Sequence, residues 1–272
     1  MAIPVLDPSL LLPALIRPTA LFVNLNGVLA PIAAHPEQVS VAEPVRASLR
    51  TLARSLDLVA VVSGAPALLA RAVVGVEGVL YLGNHGSERI DRTGQLTQRV
   101  RPDERLLTLA QEAVRRLGDR ALIVEAKGAG AAIHWRSAKH PRQARKQLLA
   151  FLQPGEQAHQ FRLVEGRCLI ELRPLDEPGK GGAVAALLAE YGVRGALYLG
   201  DDRSDLPAFA EVQRLRQRGG FGIAIAVANE ETPAAVTATA DFVVAGVPQV
   251  AALLDWLANR VGNLLARPAG RR

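Results

Sequence analysis

The chain has 272 residues, 49% of them apolar and 4% aromatic, with 32 Lys and Arg against 26 Asp and Glu for a net charge of +6. That length holds one large or two modest domains with cores of their own, and the apolar share argues against a disordered chain. Scattered cations with few aromatics give no base-stacking platform, which argues against nucleic acid. No apolar run reaches the ~18 residues that cross a bilayer, so no membrane partner is expected.

The N-terminal stretch Met1 to Arg17 is broken by Pro4, Pro8 and Pro13 and lacks a basic leading region, so it does not read as a signal peptide. Cys168 stands alone, which excludes an internal disulfide framework and fits a reducing, cytoplasmic setting. The lysines are only Lys127, Lys139, Lys146 and Lys180, and every other fixed cation is Arg.

Leu21–Leu25 reads as a first strand, followed by a helix over Glu43–Ser55 and strands at Leu58–Val62 and Val79–Leu82. Short apolar runs alternating with helical periodicity signal a parallel α/β sheet. The middle differs. There the pattern predicts a strand near Gln95–Val100, a helix over Pro102–Leu117, and strands at Leu122–Lys127 and Ala131–Trp135 joined through Gly128-Ala129-Gly130. A helix over Pro141–Leu152 and a strand pair, Gln160–Glu165 and Cys168–Arg173, complete it. The first rhythm then returns. A helix is expected over Gly181–Tyr191, strands at Ala196–Leu199, Phe221–Val227 and Asp241–Val244, and a helix over Val247–Asn259. The expected architecture is a Rossmann-like parallel-sheet core from residues 1–87 and 175–272, with an inserted α/β cap domain over 88–174.

Four segments carry chemistry. The first strand runs into Asn24-Leu25-Asn26-Gly27, presenting two amides at its carboxyl end. The second ends in Ser63-Gly64, where a hydroxyl and backbone N–H groups suit a phosphate oxygen, although an ordinary turn reads the same. Pro178-Gly179-Lys180-Gly181-Gly182 sets a lysine at a helix start, facing either an anion or solvent. Gly200-Asp201-Asp202-Arg203-Ser204-Asp205 gathers carboxylates in one loop. Such clusters call for a cation such as Mg²⁺, unless Asp202 or Ser204 serves as a helix cap.

Taken together and in this order, the four segments resemble the signature of the haloacid dehalogenase-like phosphatases. Asn26-Gly27-Val28-Leu29-Ala30-Pro31-Ile32, Gly83-Asn84-His85-Gly86-Ser87-Glu88, Glu125-Ala126-Lys127, His134-Trp135-Arg136 and Gly166-Arg167 through Glu171-Leu172-Arg173-Pro174 narrow the resemblance to trehalose-6-phosphate phosphatases, from about Leu21 to Leu257. The resemblance implies hydrolysis of trehalose 6-phosphate with Mg²⁺. It sets Asn24 at the nucleophile and metal-ligand position and Asn26 at the acid/base, whose backbone carbonyl also ligates metal. It makes Ser63, Gly64 and Lys180 phosphate binders and Asp201 and Asp205 metal-site residues. It also makes His85, Glu125, Lys127, Arg136, Arg167 and Glu171 sugar-contacting cap residues, with Arg167 standing where the family more often has Lys.

Both reactive aspartates of that family are asparagine here, and an amide neither attacks phosphorus usefully nor shuttles a proton. The chain is therefore expected to bind a sugar phosphate, most simply trehalose 6-phosphate, while hydrolysing it barely or not at all. Metal binding is expected to weaken, because Asn24 offers a neutral oxygen to a hard cation. The alternatives are a regulatory pseudophosphatase partner of a trehalose-phosphate synthase, or a scaffold for another sugar phosphate.

Overall fold

The structure is a computed structural model describing residues 7–33, 38–153, 160–166 and 168–266, with side chains as far as 261. It divides into two compact units, Met1–Thr97 with Pro178–Arg272, and Gln98–Glu177. The first half of the larger unit contributes strand β1 (Thr19–Asn24), helix α1 (Glu43–Ser55), β2 (Leu58–Val62), α2 (Ala67–Val74), β3 (Leu80–Gly83), β4 (Glu88–Ile90) and β5 (Leu96–Gln98). The smaller unit is α3 (Glu104–Leu117), β6 (Ile123–Lys127), β7 (Gly130–His134), α4 (Pro141–Leu152), β8 (Phe161–Gly166) and β9 (Leu169–Pro174). The chain then returns with α5 (Gly179–Glu190), β10 (Gly195–Gly200), α6 (Leu206–Arg214), β11 (Phe221–Ala228), α7 (Ala234–Thr239), β12 (Phe242–Ala245) and α8 (Gly246–Ala266).

Eight strands form one sheet in the order β12-β11-β10-β1-β2-β3-β4-β5. The six from β12 to β3 are parallel, and β4 turns back antiparallel on β3. Every residue of β1, β2, β3 and β10 is buried, as strands covered on both faces require; this is why they read as continuous apolar runs and not as alternation. Leu21, Val23, Val59, Val61, Leu197 and Leu199 point to one face, packed with Val45, Leu49 and Leu52 of α1 and Leu253, Leu254 and Leu257 of α8. Phe22, Ala60, Val62, Leu80 and Tyr198 point to the other, against Val184 and Leu187 of α5 and Ala208, Phe209 and Val212 of α6. The result is a doubly wound three-layer core.

The expected inserted segment began at residue 88 and ended at 174, whereas the smaller unit runs from Gln98 to Glu177. The reason is pairing: Leu82 lies opposite Arg89 and Gly83 opposite Glu88, so the segment after β3 extends the large sheet. The strand expected near Gln95–Val100 likewise joins that sheet as its edge, β5.

The smaller unit is a four-stranded antiparallel sheet, β6-β7-β9-β8, with two helices. Ala131, Ile133, Ile170 and Leu172 bury one face against Leu106, Ala110 and Ala113 of α3 and Ala144, Leu148 and Leu152 of α4. Strand side chains alternate with a period of two, so the register places Glu125, Lys127, His134, Glu171 and Arg173 together on the opposite face. Among the described residues, no helix is long and apolar enough to cross a membrane.

Candidate anion site

β1 and β10 are neighbours, yet β1 continues into β2 and β3 on one side while β10 continues into β11 and β12 on the other. Carboxyl ends at such a reversal form the crevice where open α/β sheets take ligands. Asn24 closes β1 there and is 6% exposed. Its Oδ1 accepts from the Leu25 N–H at 2.9 Å, and its Nδ2 donates to Asp201 Oδ1 at 2.8 Å and to the Asn26 carbonyl at 3.1 Å. Those partners fix the orientation of the amide. Turning it over would set oxygen against two acceptors and NH₂ against a donor. The buried Asn26 Oδ1 has no hydrogen-bond partner among the described residues.

Gly27 allows this approach. Its φ is +81°, and a Cβ there would lie 2.0 Å from Asp201 Oδ2. Gly27→Ala is therefore expected to lower stability by at least about 1–2 kcal/mol from left-handed backbone strain alone, with the clash displacing Asp201. A thermal melt that matches the unsubstituted chain would refute this.

The acidic loop and the lysine are one buried network. Lys180 Nζ donates to Asp205 Oδ1 at 2.7 Å, and the Tyr198 hydroxyl donates to the same oxygen at 2.7 Å. Asp205 Oδ2 accepts from the backbone N–H groups of Asp201 at 3.1 Å and Asp202 at 3.0 Å. Asp205 is 0% exposed and Lys180 4%, so each charge is balanced by the other and by hydrogen bonds, as burial demands. Burial pushes the Tyr198 phenol well above its usual range, and the neighbouring Asp205 carboxylate adds to the effect.

Ser63 follows β2 directly, one strand over from Asn24, whose register partner is Val62. Its Oγ accepts from the Ala65 N–H at 3.0 Å, and the hydroxyl keeps a proton to donate. The Ser63 carbonyl accepts from His85 N–H at 2.9 Å, and the Ala65 carbonyl from Asn84 N–H at 2.9 Å. Asn84 and His85 both have positive φ, 46° and 57°. Gly64 lets the His85 ring approach, since a Cβ there would meet Cε1 at 2.9 Å. Glu88 holds the arrangement from below, accepting from Asn84 Nδ2 at 2.7 Å and from the Ala67 N–H that opens α2 at 2.8 Å. At Gly86 a Cβ would meet Ala183 Cβ of α5 at 2.4 Å, which sets this loop against the helix that carries Lys180. Asn24, Ser63, Lys180 and Asp201 therefore come from four segments to one end of one sheet.

In the smaller unit, Glu171 is 5% exposed and accepts from Lys127 Nζ and the Arg173 guanidinium. Glu125 Oε2 lies 2.8 Å from His134 Nε2. That hydrogen bond holds the Glu125 carboxyl below its usual range against the effect of burial, with the Lys127 charge assisting. Arg136 is exposed on the turn after β7, and Arg167 lies outside the described residues. Sequence reasoning gave no individual role to Tyr198, or to Glu88, His134 and Arg173, which lie within the quoted motifs. A lone hydroxyl inside the strand Leu197-Tyr198-Leu199 was a signal, because a buried Tyr seeks a partner.

The site does not suit the magnesium ion expected at Asn24, Asn26, Asp201 and Asp205. Mg²⁺ takes oxygen ligands in near-octahedral array, but Asn24 turns its NH₂ toward both Asp201 and the Asn26 carbonyl. The Asp205 oxygens are held by four donors. Among the described residues, no group of three or more His, Cys, Asp or Glu gathers to hold a metal.

A trehalose-phosphatase family profile matches residues 22–245. The trehalose-6-phosphate phosphatase of Escherichia coli is 30% identical over 256 residues, covering 92% of this chain and 91% of that protein. The trehalose-phosphate phosphatase of Mycobacterium tuberculosis is 30% identical over 90% of this chain, which spans 62% of that longer protein. Among solved structures, the C-terminal domain of the Candida albicans trehalose-6-phosphate phosphatase superposes with a TM-score of 0.76 at 18% identity, covering 95% of this chain and 98% of that one. A haloacid dehalogenase-like hydrolase from Bacteroides thetaiotaomicron does so with a TM-score of 0.62 at 13% identity, covering 90% and 98%. At those identities the structures show the fold, and it is the profile and the bacterial relatives that decide kinship: the chain belongs to the trehalose-phosphatase family.

Proposed function

We propose that this chain binds a sugar phosphate, most simply trehalose 6-phosphate, and hydrolyses it barely or not at all. In this reading Ser63, Gly64 and Lys180 hold the phosphoryl group. His85, Glu125, Lys127, Arg136, Arg167 and Glu171 are the sugar contacts, carried over from the family. Asn24 and Asn26 stand at the nucleophile and acid/base positions.

The observation that supports loss of chemistry is the Asn24 amide. It ends β1 beside Ser63 and Asp201 with its oxygen turned back on Leu25 N–H, and its nitrogen lone pair is delocalised into the carbonyl, which leaves no useful nucleophile for phosphorus. Without a nucleophile, splitting the barrier through a covalent intermediate is closed. Anion binding need not fall with it. Lys180 spends one of three N–H donors on Asp205, the Ser63 hydroxyl proton is available, and two fewer carboxylates repel the ligand.

Calorimetric titration with trehalose 6-phosphate is expected to show binding, while an assay of phosphate release stays at background. Absence of heat at millimolar ligand would remove the proposal. Tighter binding of a different sugar phosphate would redirect it to that ligand. The same two asparagines favour a second reading, a non-catalytic partner of a trehalose-phosphate synthase. That reading is supported if the synthase is retained by this chain while no sugar phosphate binds.

A further inference from the structure

We propose that the Asn24 amide takes the place of a divalent cation, so that this pocket holds a phosphoryl anion without metal. The inference rests on the phosphate-binding reading above, but its test separates the two.

The Asp201 carboxylate is 1% exposed and lies at the mouth of β1. A carboxylate buried so deeply must be met by positive charge or by N–H donors. Here the Asn24 Nδ2 supplies the donor at 2.8 Å, and the same nitrogen reaches the Asn26 carbonyl at 3.1 Å. One NH₂ group thus contacts two oxygens from different loops, which is the bridging task that a bound cation performs. The Leu25 N–H holds the amide oxygen at 2.9 Å and prevents the group from turning over to offer oxygen to a metal. Gly27 lets the loop backbone close over Asp201 Oδ2, so the loop and the acidic bend are already drawn together.

Charge accounting agrees. With aspartate at both 24 and 26 the pocket would carry two further negative charges, the amount that one dication neutralises. With asparagine at both, Lys180 offsets Asp205, and the Asn24 amide donates to Asp201. An added Mg²⁺ would find a donor where it needs a ligand. It would have to break three hydrogen bonds to obtain one neutral oxygen.

The test compares the unsubstituted chain with Asn24→Asp and with the exchanged pair Asn24→Asp/Asp201→Asn, each with Mg²⁺ alone and with inorganic phosphate. The unsubstituted chain is expected to give no calorimetric heat and no melting shift with millimolar Mg²⁺. Its phosphate affinity should be the same in Mg²⁺ and in chelator. Asn24→Asp sets two carboxylates against each other, so it should melt lower by ~5 °C without metal and recover when Mg²⁺ is added. The exchanged pair keeps one carboxylate and one amide and should show no metal response, which controls for a general loss of folding. A submillimolar Mg²⁺ affinity in the unsubstituted chain overturns the proposal, as does phosphate binding enhanced by Mg²⁺ within the roughly 5–150-fold range of coupled sites. A metal response of the exchanged pair equal to that of Asn24→Asp also overturns it. Failure of phosphate to bind under any condition, with no Mg²⁺ bound either, would instead remove the sugar-phosphate reading and leave the amide bridge as a structural element, overturning the anion half of the inference.

Discussion

Replacing Asn24 and Asn26 together by aspartate is expected to switch on phosphate release from trehalose 6-phosphate, measured with Mg²⁺ present, by at least about 10⁴-fold over the unsubstituted chain. The magnitude follows from a hydrolase in which losing one residue of the covalent machinery costs on the order of 10⁴ to 10⁶ in turnover. Both positions are needed. Asn26→Asp alone supplies an acid/base with no nucleophile to assist and should stay silent. Asn24→Asp alone supplies a nucleophile whose leaving group is not protonated and should fall well short of the pair. The rest of the pocket is in place for them: Ser63 at the end of the adjacent strand, Lys180 fixed on Asp205 at 2.7 Å, and Asp201 beside Asn24 at 2.8 Å. If the doubly substituted chain folds, binds trehalose 6-phosphate and still releases no phosphate, the roles given to Asn24 and Asn26 are wrong.

The second large effect lies in the Lys180–Asp205 pair. Lys180→Met leaves the Asp205 carboxylate, 0% exposed, without the cation that pairs with it among the described residues. Breaking a buried ion pair from one side typically costs about 3–5 kcal/mol, because the surviving charge stays buried. The Tyr198 hydroxyl and two backbone N–H groups still solvate Asp205, which places the expected loss near the lower end, about 3 kcal/mol. Urea unfolding reads this as a lower midpoint with an unchanged slope. Adding Asp205→Asn to Lys180→Met removes the orphaned charge and should restore more than half of the loss, while anion binding stays abolished in both variants. A Lys180→Met chain as stable as the original would show that Asp205 does not depend on its lysine.

Much of the core was legible in the sequence. The strands at Leu58–Val62 and Phe221–Val227 and the helix at Glu43–Ser55 appear almost where their patterns place them. Short apolar runs rich in β-branched residues and bounded by turn residues fit a buried parallel strand. Helices α2 and α6 were not legible. Ala67-Leu68-Leu69-Ala70-Arg71-Ala72-Val73-Val74 has almost no polar face to give a helical period, and Leu206–Arg214 is short and follows an acidic loop that drew its own reading. The hairpin strand β4 was missed because its three residues pair with β3 across a turn of positive-φ residues, which no periodicity reveals.

At the site, residue types and spacing suggested which side chains meet, but not how their hydrogen bonds run. Asp201 and Asp205, four apart in one loop, were both expected at a metal site, Asp201 as ligand and Asp205 behind it. In the fold they differ: Asp205 turns inward to Lys180 and Tyr198, and Asp201 turns to Asn24. Lys127 and Glu171, both expected as sugar contacts, also pair with each other across the small sheet. That pairing depends on register, which only the assembled strands set.

The central position of β1 has a consequence for synthesis. One of its edges pairs with β2 nearby in sequence, but the other waits for β10, with Thr19 opposite Gly195. During translation the whole intervening unit emerges before that second edge is covered. A nascent or truncated chain ending before residue 195 therefore carries a bare, largely apolar strand edge, the kind that recruits foreign strands. Ribosome-stalled or prematurely terminated products of this length should depend on chaperones for solubility, whereas chains extended past β12, the native edge of the sheet, should not.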